Sequence, residues 1–148
     1  MTAAAPFPLE DSLPYLLSRA ALAANGDLER AMRRLGAEGA AWRALLALDG
    51  RDGFTVTGLG RAALVAQATM SKALTRMLAA DLVRLAPDGA RLADRRATFV
   101  SITEAGRRLA GAVAAEAAAH EAAFLAHHPG FGAPEVRAAL AGVGELPL

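Results

Sequence analysis

Residues 67–78 read QATMSKALTRML, and the spacing of their apolar side chains predicts one amphipathic helix. On a helix that turns about 100° per residue, five apolar side chains share one face: Met70, Ala73, Leu74, Met77 and Leu78. The opposite face holds hydroxyls, an amide and cations, but no acid. That combination suits a polyanionic partner, with an ordinary solvated surface helix as the alternative.

The residues before this helix predict a shorter helix that braces it. Phe54-Thr55-Val56-Thr57 opens a helix that ends near Leu64, and Thr55 is a suitable N-cap. Gly58 and Gly60 lower the intrinsic stability of this helix.

The residues after it predict a β-hairpin. Residues 82–86 and 98–102 alternate in polarity and contain β-branched residues, which is typical of strands. Either Pro87-Asp88-Gly89 forms the turn between them, or the whole stretch to Arg96 is a loop. The order helix, tight break, helix, hairpin is that of a winged helix-turn-helix, whose second helix enters the DNA major groove.

Helices are predicted on both sides of this unit, so the fold class is mainly α with a small β-hairpin wing. A helical pattern covers 9–35, with a weak point at Asn25-Gly26, and a second helix follows over 38–48. Thr103 is a suitable N-cap for a long alanine-rich helix that ends near His127. A last short helix is predicted over 133–141.

Charge is unevenly distributed along the chain, although the net charge is only +1. Residues 61–108 contain nine Lys and Arg against four acids, whereas the rest has seven against eleven. A basic segment between acidic flanks is typical of a nucleic-acid-binding surface.

Composition excludes several classes of protein and site. A chain of 148 residues fits one domain, and the absence of cysteine excludes disulfides and thiolate metal sites. No apolar run reaches about 20 residues and the start shows no signal-peptide pattern, so we expect a cytoplasmic protein without a membrane partner.

The three histidines lack acids at metal-binding spacing, and we find no nucleophile–base arrangement or nucleotide loop. We therefore expect no metal, no cofactor and no enzymatic activity.

The outer face of the 67–78 helix and the basic hairpin are the candidate DNA contacts. These are Gln67, Ala68, Thr69, Ser71, Lys72, Thr75, Arg76, Arg91, Arg95 and Arg96. Ser71 and Thr75 suit phosphates or bases, and Lys72 and Arg76 suit phosphate or guanine. Ala68 suits a thymine methyl group. Which of them contacts a base stays open.

Two stretches resemble the MarR family of winged-helix transcriptional regulators. They are FTVTGLGRAALVAQATMSKALTRMLAADLV at 54–83 and ADRRATFVSITEAGRRL at 93–109. The second resembles the family's Asp-x-Arg wing, here Asp94-Arg95-Arg96, followed by a strand and a Leu-Thr-x-x-Gly-like element, here residues 102–106. The resemblance covers roughly residues 9–145.

The resemblance implies a homodimer that binds double-stranded DNA at a pseudo-palindromic operator, usually as a repressor. It also implies that Asp94 orients an arginine of the wing and that Arg96 points toward the minor groove. The chain then divides into four parts: a flexible arm (1–8), N-terminal helices for dimerisation and support (9–53), the DNA-binding lobe (54–102) and C-terminal dimerisation helices (103–148).

A small-molecule site is implied as well, since many relatives bind small aromatic acids between the dimer helices and the DNA lobe. Arg19, Trp42 and Arg43 would line such a pocket here and hold a small aromatic or anionic ligand. For Trp42 the sequence favours the alternative, a place in the hydrophobic core.

Three departures from the family pattern stand out. Asp81 occupies a position where the family commonly has Gly, Gly58 and Gly60 replace helix-favouring residues, and the hairpin is longer than is typical. The alternative function is a winged-helix protein-interaction module that does not bind DNA. Such a module is expected to expose apolar anchors on the 67–78 helix, whose outer face has none.

Overall fold

The computed structural model describes residues 7–51, 53–87 and 98–143, and within them the chain is mainly helical. The helices are α1 (Leu13–Arg34), α2 (Ala40–Gly50), α3 (Val56–Ala62), α4 (Gln67–Ala79), α5 (Glu104–His127) and α6 (Pro134–Ala141). The strands are β1 (Phe54–Thr55), β2 (Val83–Pro87) and β3 (Thr98–Ile102). This confirms the predicted fold class of a helical protein with a small winged-helix sheet.

The sheet has three antiparallel strands in the order β1-β3-β2. Val83 lies opposite Ile102, and Leu85 lies opposite Val100. Val83 and Val100 are buried, so the hairpin packs its apolar face on the helices. Strand β1 was not predicted: its residues were assigned to the start of α3, which begins two residues later, after Phe54 and Thr55 pair with β3.

Helix α1 is continuous through Asn25-Gly26, where the sequence predicted a weak point. The helix also begins later than predicted, because Leu9–Asp11 form a separate 3-10 turn and Pro14 lies in the first turn of α1. Proline is tolerated there because the first backbone N–H groups of a helix have no partner within the helix.

The core lies between α1, α2, α3, α4, the first half of α5 and the sheet, and it contains mainly leucine, methionine and small residues. Met32, Leu45, Leu48, Leu59, Met70 and Met77 are among its fully buried large side chains. Four of the five apolar residues predicted for the inner face of α4 are buried; Leu78 is 36% exposed and lies at the edge of that face.

The start of α5 is bonded to the segment that follows α4. The Thr103 hydroxyl donates to the Asp81 carbonyl (2.6 Å) and accepts from the Gly106 N–H (3.0 Å), which confirms Thr103 as the N-cap. The Thr103 N–H donates to the Leu82 carbonyl at 3.1 Å. Asp81 has a φ of 53°, a left-handed conformation that favours glycine, so the turn forms here with aspartate in that conformation.

Close packing against Leu82 explains why the Leu-Thr-x-x-Gly-like element at residues 102–106 has glycine at position 106. A Cβ atom at this position would lie 2.1 Å from the Leu82 carbonyl oxygen and 2.7 Å from Ile102 Cγ1. Only glycine lets the first turn of α5 lie this close to the residues that follow α4.

Helices α1 and α5 leave much apolar surface uncovered in the single chain. The buried residues of α5 are Gly106, Ala110 and Val113, all in its first half. By length and composition alone α5 could cross a membrane, and little of it is buried within the chain. The sequence predicted no such segment, because no apolar run approaches about 20 residues, and a single helix that passes this test is weak evidence for a membrane span.

Candidate DNA-binding surface

Helix α4 is held by its inner face and presents its outer face to solvent. Met70, Ala73, Leu74 and Met77 are buried in the core. The seven α4 residues predicted to contact DNA are all exposed: Gln67, Ala68, Thr69, Ser71, Lys72, Thr75 and Arg76. The fold therefore brings this part of the predicted surface together on one side of one helix.

A tight turn sets the angle between α3 and α4. The Val65 N–H donates to the Gly60 carbonyl at 2.9 Å, and Leu64 between them has a φ of 55°. A Cβ atom on Gly60 would lie 3.1 Å from the Val65 carbonyl oxygen and 3.7 Å from Met70 Cβ. Gly60, predicted to soften α3, lets α3 and the first turn of α4 approach closely.

The polar groups of α4 differ in the hydrogen-bond donors and acceptors that they keep available for a ligand. The Thr75 hydroxyl donates to the Ser71 carbonyl at 3.0 Å, so its proton is engaged and its lone pairs accept. Lys72 is exposed and carries three donors on a flexible stem, which suits a phosphate contact.

Arg76 has an acidic neighbour that the helix pattern does not show. Arg76 Nη1 donates to Glu38 Oε1 at 3.0 Å. Arg33 Nε lies 3.6 Å from Glu38 Oε2, so two arginines share one carboxylate. The outer side of α4 is acid-free only within the helix, because the loop between α1 and α2 places Glu38 beside it. Sequence reasoning missed Glu38 and Arg33, which lie about forty residues before Arg76 and carry no local signal.

The predicted wing contacts lie outside the described residues. These are Asp94, Arg91, Arg95 and Arg96, and their roles stay predictions. The hairpin leading to them is described as far as Pro87 on β2 and from Thr98 on β3.

The three residues predicted for a ligand pocket are only partly brought together. Trp42 lines a cavity of about 610 Å³ between α1, α5 and α6, whereas Arg19 and Arg43 are not in its described lining. The Arg43 guanidinium lies 4.5 Å from the Trp42 ring centre. Both side chains contact Glu29 Oε1, Arg43 Nη2 at 3.5 Å and Trp42 Nε1 at 3.2 Å. Arg19 instead lies 5.9 Å from the ring centre of Tyr15.

The cavity is mostly apolar, and three of its polar side chains, those of His120, Glu121 and Arg137, already have partners. His120 Nε2 lies 3.0 Å from the Ala24 carbonyl oxygen, and Arg137 of α6 is bonded to Glu121 of α5. The sequence did not identify these residues, because their meeting depends on how α1, α5 and α6 pack.

Comparisons with known proteins agree on one family. A family model described as MarR family matches residues 35–97. No curated protein matches the chain. A solved MarR-family transcriptional regulator from Silicibacter pomeroyi is 33% identical, with 92% of this chain and 87% of that chain covered and a TM-score of 0.72.

Two further solved structures are similar in fold. The transcriptional repressor CouR, known from Rhodococcus jostii RHA1, was solved bound to a 23-mer DNA duplex; it is 20% identical, with 94% and 99% covered and a TM-score of 0.77. BpsR of Bordetella bronchiseptica, whose DNA binding is regulated by 6-hydroxynicotinic acid, is 23% identical, with 94% of each chain covered and a TM-score of 0.75.

Proposed function

The chain belongs to the MarR family of transcriptional regulators, and from that premise we propose that it is a cytoplasmic, homodimeric repressor that binds a pseudo-palindromic DNA operator and is released by a small-molecule ligand. The observation that carries DNA binding is the outer side of α4. It presents exposed hydroxyl, amide and cationic groups, with no acid on the helix itself. These are the groups that contact phosphates and base edges in a major groove.

A binding titration tests the DNA contact directly. The full chain is titrated by fluorescence anisotropy into labelled duplexes from the promoter region of its own and adjacent genes, and into a scrambled duplex. We expect tight, selective binding that weakens steeply with added salt, because phosphate contacts release counterions. Binding that ignores sequence and is weak at moderate salt would rule out an operator-specific regulator.

The wing contributes a second contact in this proposal. Arg96→Ala is expected to weaken binding to the selected duplex while leaving the thermal unfolding curve unchanged. An Arg96→Ala protein that unfolds would show that this residue is structural and not a DNA contact.

Self-association is supported by apolar surface that the single chain does not cover. Leu13, Leu16 and Leu17 share one side of α1 and are 42–68% exposed, and the second half of α5 buries no described residue. Contiguous exposed apolar surface of this kind marks an interaction site. A dimer would cover it and would place two copies of α4 on two half-sites of one operator.

The cavity beside Trp42 is the proposed ligand site, in place of the predicted trio that includes Arg19. Since Trp42 is the single tryptophan of the chain, its fluorescence reports any ligand that enters. The first probe is 6-hydroxynicotinic acid, an aromatic anion. A saturable change in Trp42 emission, together with release from the duplex, supports the site; release without a change in emission would place the ligand elsewhere.

The alternative of a protein-interaction module is less well supported. The described outer residues of α4 offer no large apolar anchor, apart from Leu78 at the edge of the buried face. The scrambled-duplex comparison separates the two functions, since only the regulator distinguishes the duplexes.

A further inference from the structure

The loop between α1 and α2 fixes one acidic side chain beside α4. Gly36 and Gly39 both have left-handed backbones, with φ of 79° and 63°, so the chain turns sharply on either side of Ala37 and Glu38. Ala37 is fully buried, and its N–H donates to the Met32 carbonyl at 2.9 Å. The two turns and the buried Ala37 therefore fix the backbone at Glu38 beside α4.

The contact between Glu38 and Arg76 leaves most of the guanidinium available. Arg76 Nη1 is the group that bonds Glu38 Oε1, while a guanidinium carries five N–H donors. The side chains of Arg76 and Glu38 are 69% and 50% exposed. An exposed ion pair of this kind is weak, so a stronger anion displaces it readily.

We propose that Glu38 competes with DNA phosphate for Arg76 and so lowers the affinity of this protein for DNA. In the free protein Glu38 holds the Arg76 guanidinium; in the complex a phosphate takes its place, and the carboxylate remains nearby as a repelling charge. Arg33 Nε lies 3.6 Å from Glu38 Oε2, so the displaced carboxylate still has one arginine as an ion-pair partner. This inference rests on the proposed function, because it assumes that α4 faces DNA.

Charge-removing variants test the competition. Glu38→Gln keeps the size of the side chain and removes its charge; we expect it to bind the selected duplex about two- to fivefold more tightly, because Arg76 no longer has to leave an exposed ion pair before it contacts a phosphate. The logarithmic salt dependence is expected to steepen, by at most about one unit. Unchanged or weaker binding would overturn the inference, and weaker binding would instead show that Glu38 preorganises Arg76.

A double-mutant cycle separates the contact from the general field of the protein. In an Arg76→Ala background, Glu38→Gln is expected to lose most of its effect, since no guanidinium remains to be freed. An effect of full size in that background would contradict competition through Arg76. Glu38→Asp keeps the charge but shortens the side chain; affinity between that of the wild type and Glu38→Gln supports the direct contact, and wild-type affinity contradicts it.

Matched controls separate this inference from net charge, folding and the proposed function. Glu135→Gln makes the same change in net charge on α6 and is expected to leave affinity unchanged. Thermal unfolding of Glu38→Gln is compared with the wild type, and Glu38→Ala is the second variant if the first fails to fold. Wild-type protein without selective binding refutes the proposed function, whereas a wild type that binds and a Glu38→Gln that matches it refute the competition alone.

Discussion

At the scale of single residues, Gly106 is the described glycine with the least room for a side chain. Its missing side chain leaves room for the Leu82 carbonyl, which a Cβ atom would meet at 2.1 Å. We expect Gly106→Ala to lower the free energy of unfolding by about 3 kcal/mol, since a backbone carbonyl on one side and Ile102 on the other cannot both yield.

Gly111 is the matched control on the same helix, because a Cβ atom there has no neighbour within 4 Å. Gly111→Ala is expected to raise the free energy of unfolding by about 0.5–1 kcal/mol through helix propensity. Urea unfolding followed by circular dichroism measures both variants. Equal effects of the two substitutions would show that the close approach at Gly106 does not exist in solution.

Leu64 is the opposite case: a residue with a side chain occupies a left-handed backbone conformation that favours glycine. Its φ is 55° and its side chain is 78% exposed, so little packing offsets the left-handed conformation. Leu64→Gly is expected to raise the free energy of unfolding by about 0.5 kcal/mol, whereas Leu64→Ala, which keeps Cβ, gives no such gain. If alanine stabilises as much as glycine, the cause is the removal of exposed apolar surface.

At the scale of secondary-structure elements, Thr103 joins two of them. Thr103→Val removes a donor to the Asp81 carbonyl and an acceptor for the Gly106 N–H, at nearly unchanged volume. We expect a loss of about 1–3 kcal/mol in the free energy of unfolding. Thr103→Ser keeps both bonds and should lose much less; a serine variant as unstable as the valine variant would assign the effect to the methyl group.

Helix α4 provides the prediction on binding. Lys72→Ala removes an exposed cation without touching the core, and we expect it to weaken DNA binding across sequences and to reduce the salt dependence by about one phosphate contact. Arg30→Ala on α1 removes an exposed cation that pairs locally with Asp27 and serves as the control. A Lys72→Ala protein with wild-type affinity and salt dependence would remove this residue from the DNA surface.

The accuracy of the sequence predictions depended on how local each signal was. The caps Thr55 and Thr103 and the strand 98–102 were predicted correctly, because capping and alternation act over a few neighbouring residues. Strand β1 was missed, because a two-residue strand has no period and its partner lies more than forty residues away. Glu38 was missed for the same reason, since only the folded chain places it beside Arg76.

At the scale of the whole molecule, the uncovered leucines of α1 supply the test of self-association. Leu13 is 68% exposed in the single chain. A charge at this position is expected to shift the proposed dimer toward monomer by at least tenfold in dissociation constant, since Leu13→Glu would bury a carboxylate without a partner. Analytical ultracentrifugation over a range of concentrations measures the shift.

Leu85 on β2 is the matched control, because it is 43% exposed and lies on the hairpin. Leu85→Glu makes the same chemical change and is expected to leave the association state as in the wild type. If both variants dissociate equally, the α1 leucines are not the contact; if the wild type is itself a monomer at all concentrations, the homodimer is excluded.

The joint at Thr103 and Gly106 also has a mechanical consequence. Helix α5 has 24 residues and is therefore about 36 Å long, with α4 fastened at one end. Because that joint leaves no room to slide, a tilt of α5 by about 5° carries the far end of such a lever through about 3 Å. In a dimer built on α5, the tilt of this helix would set the distance between the two α4 helices. That distance decides whether both fit successive major grooves of one DNA duplex.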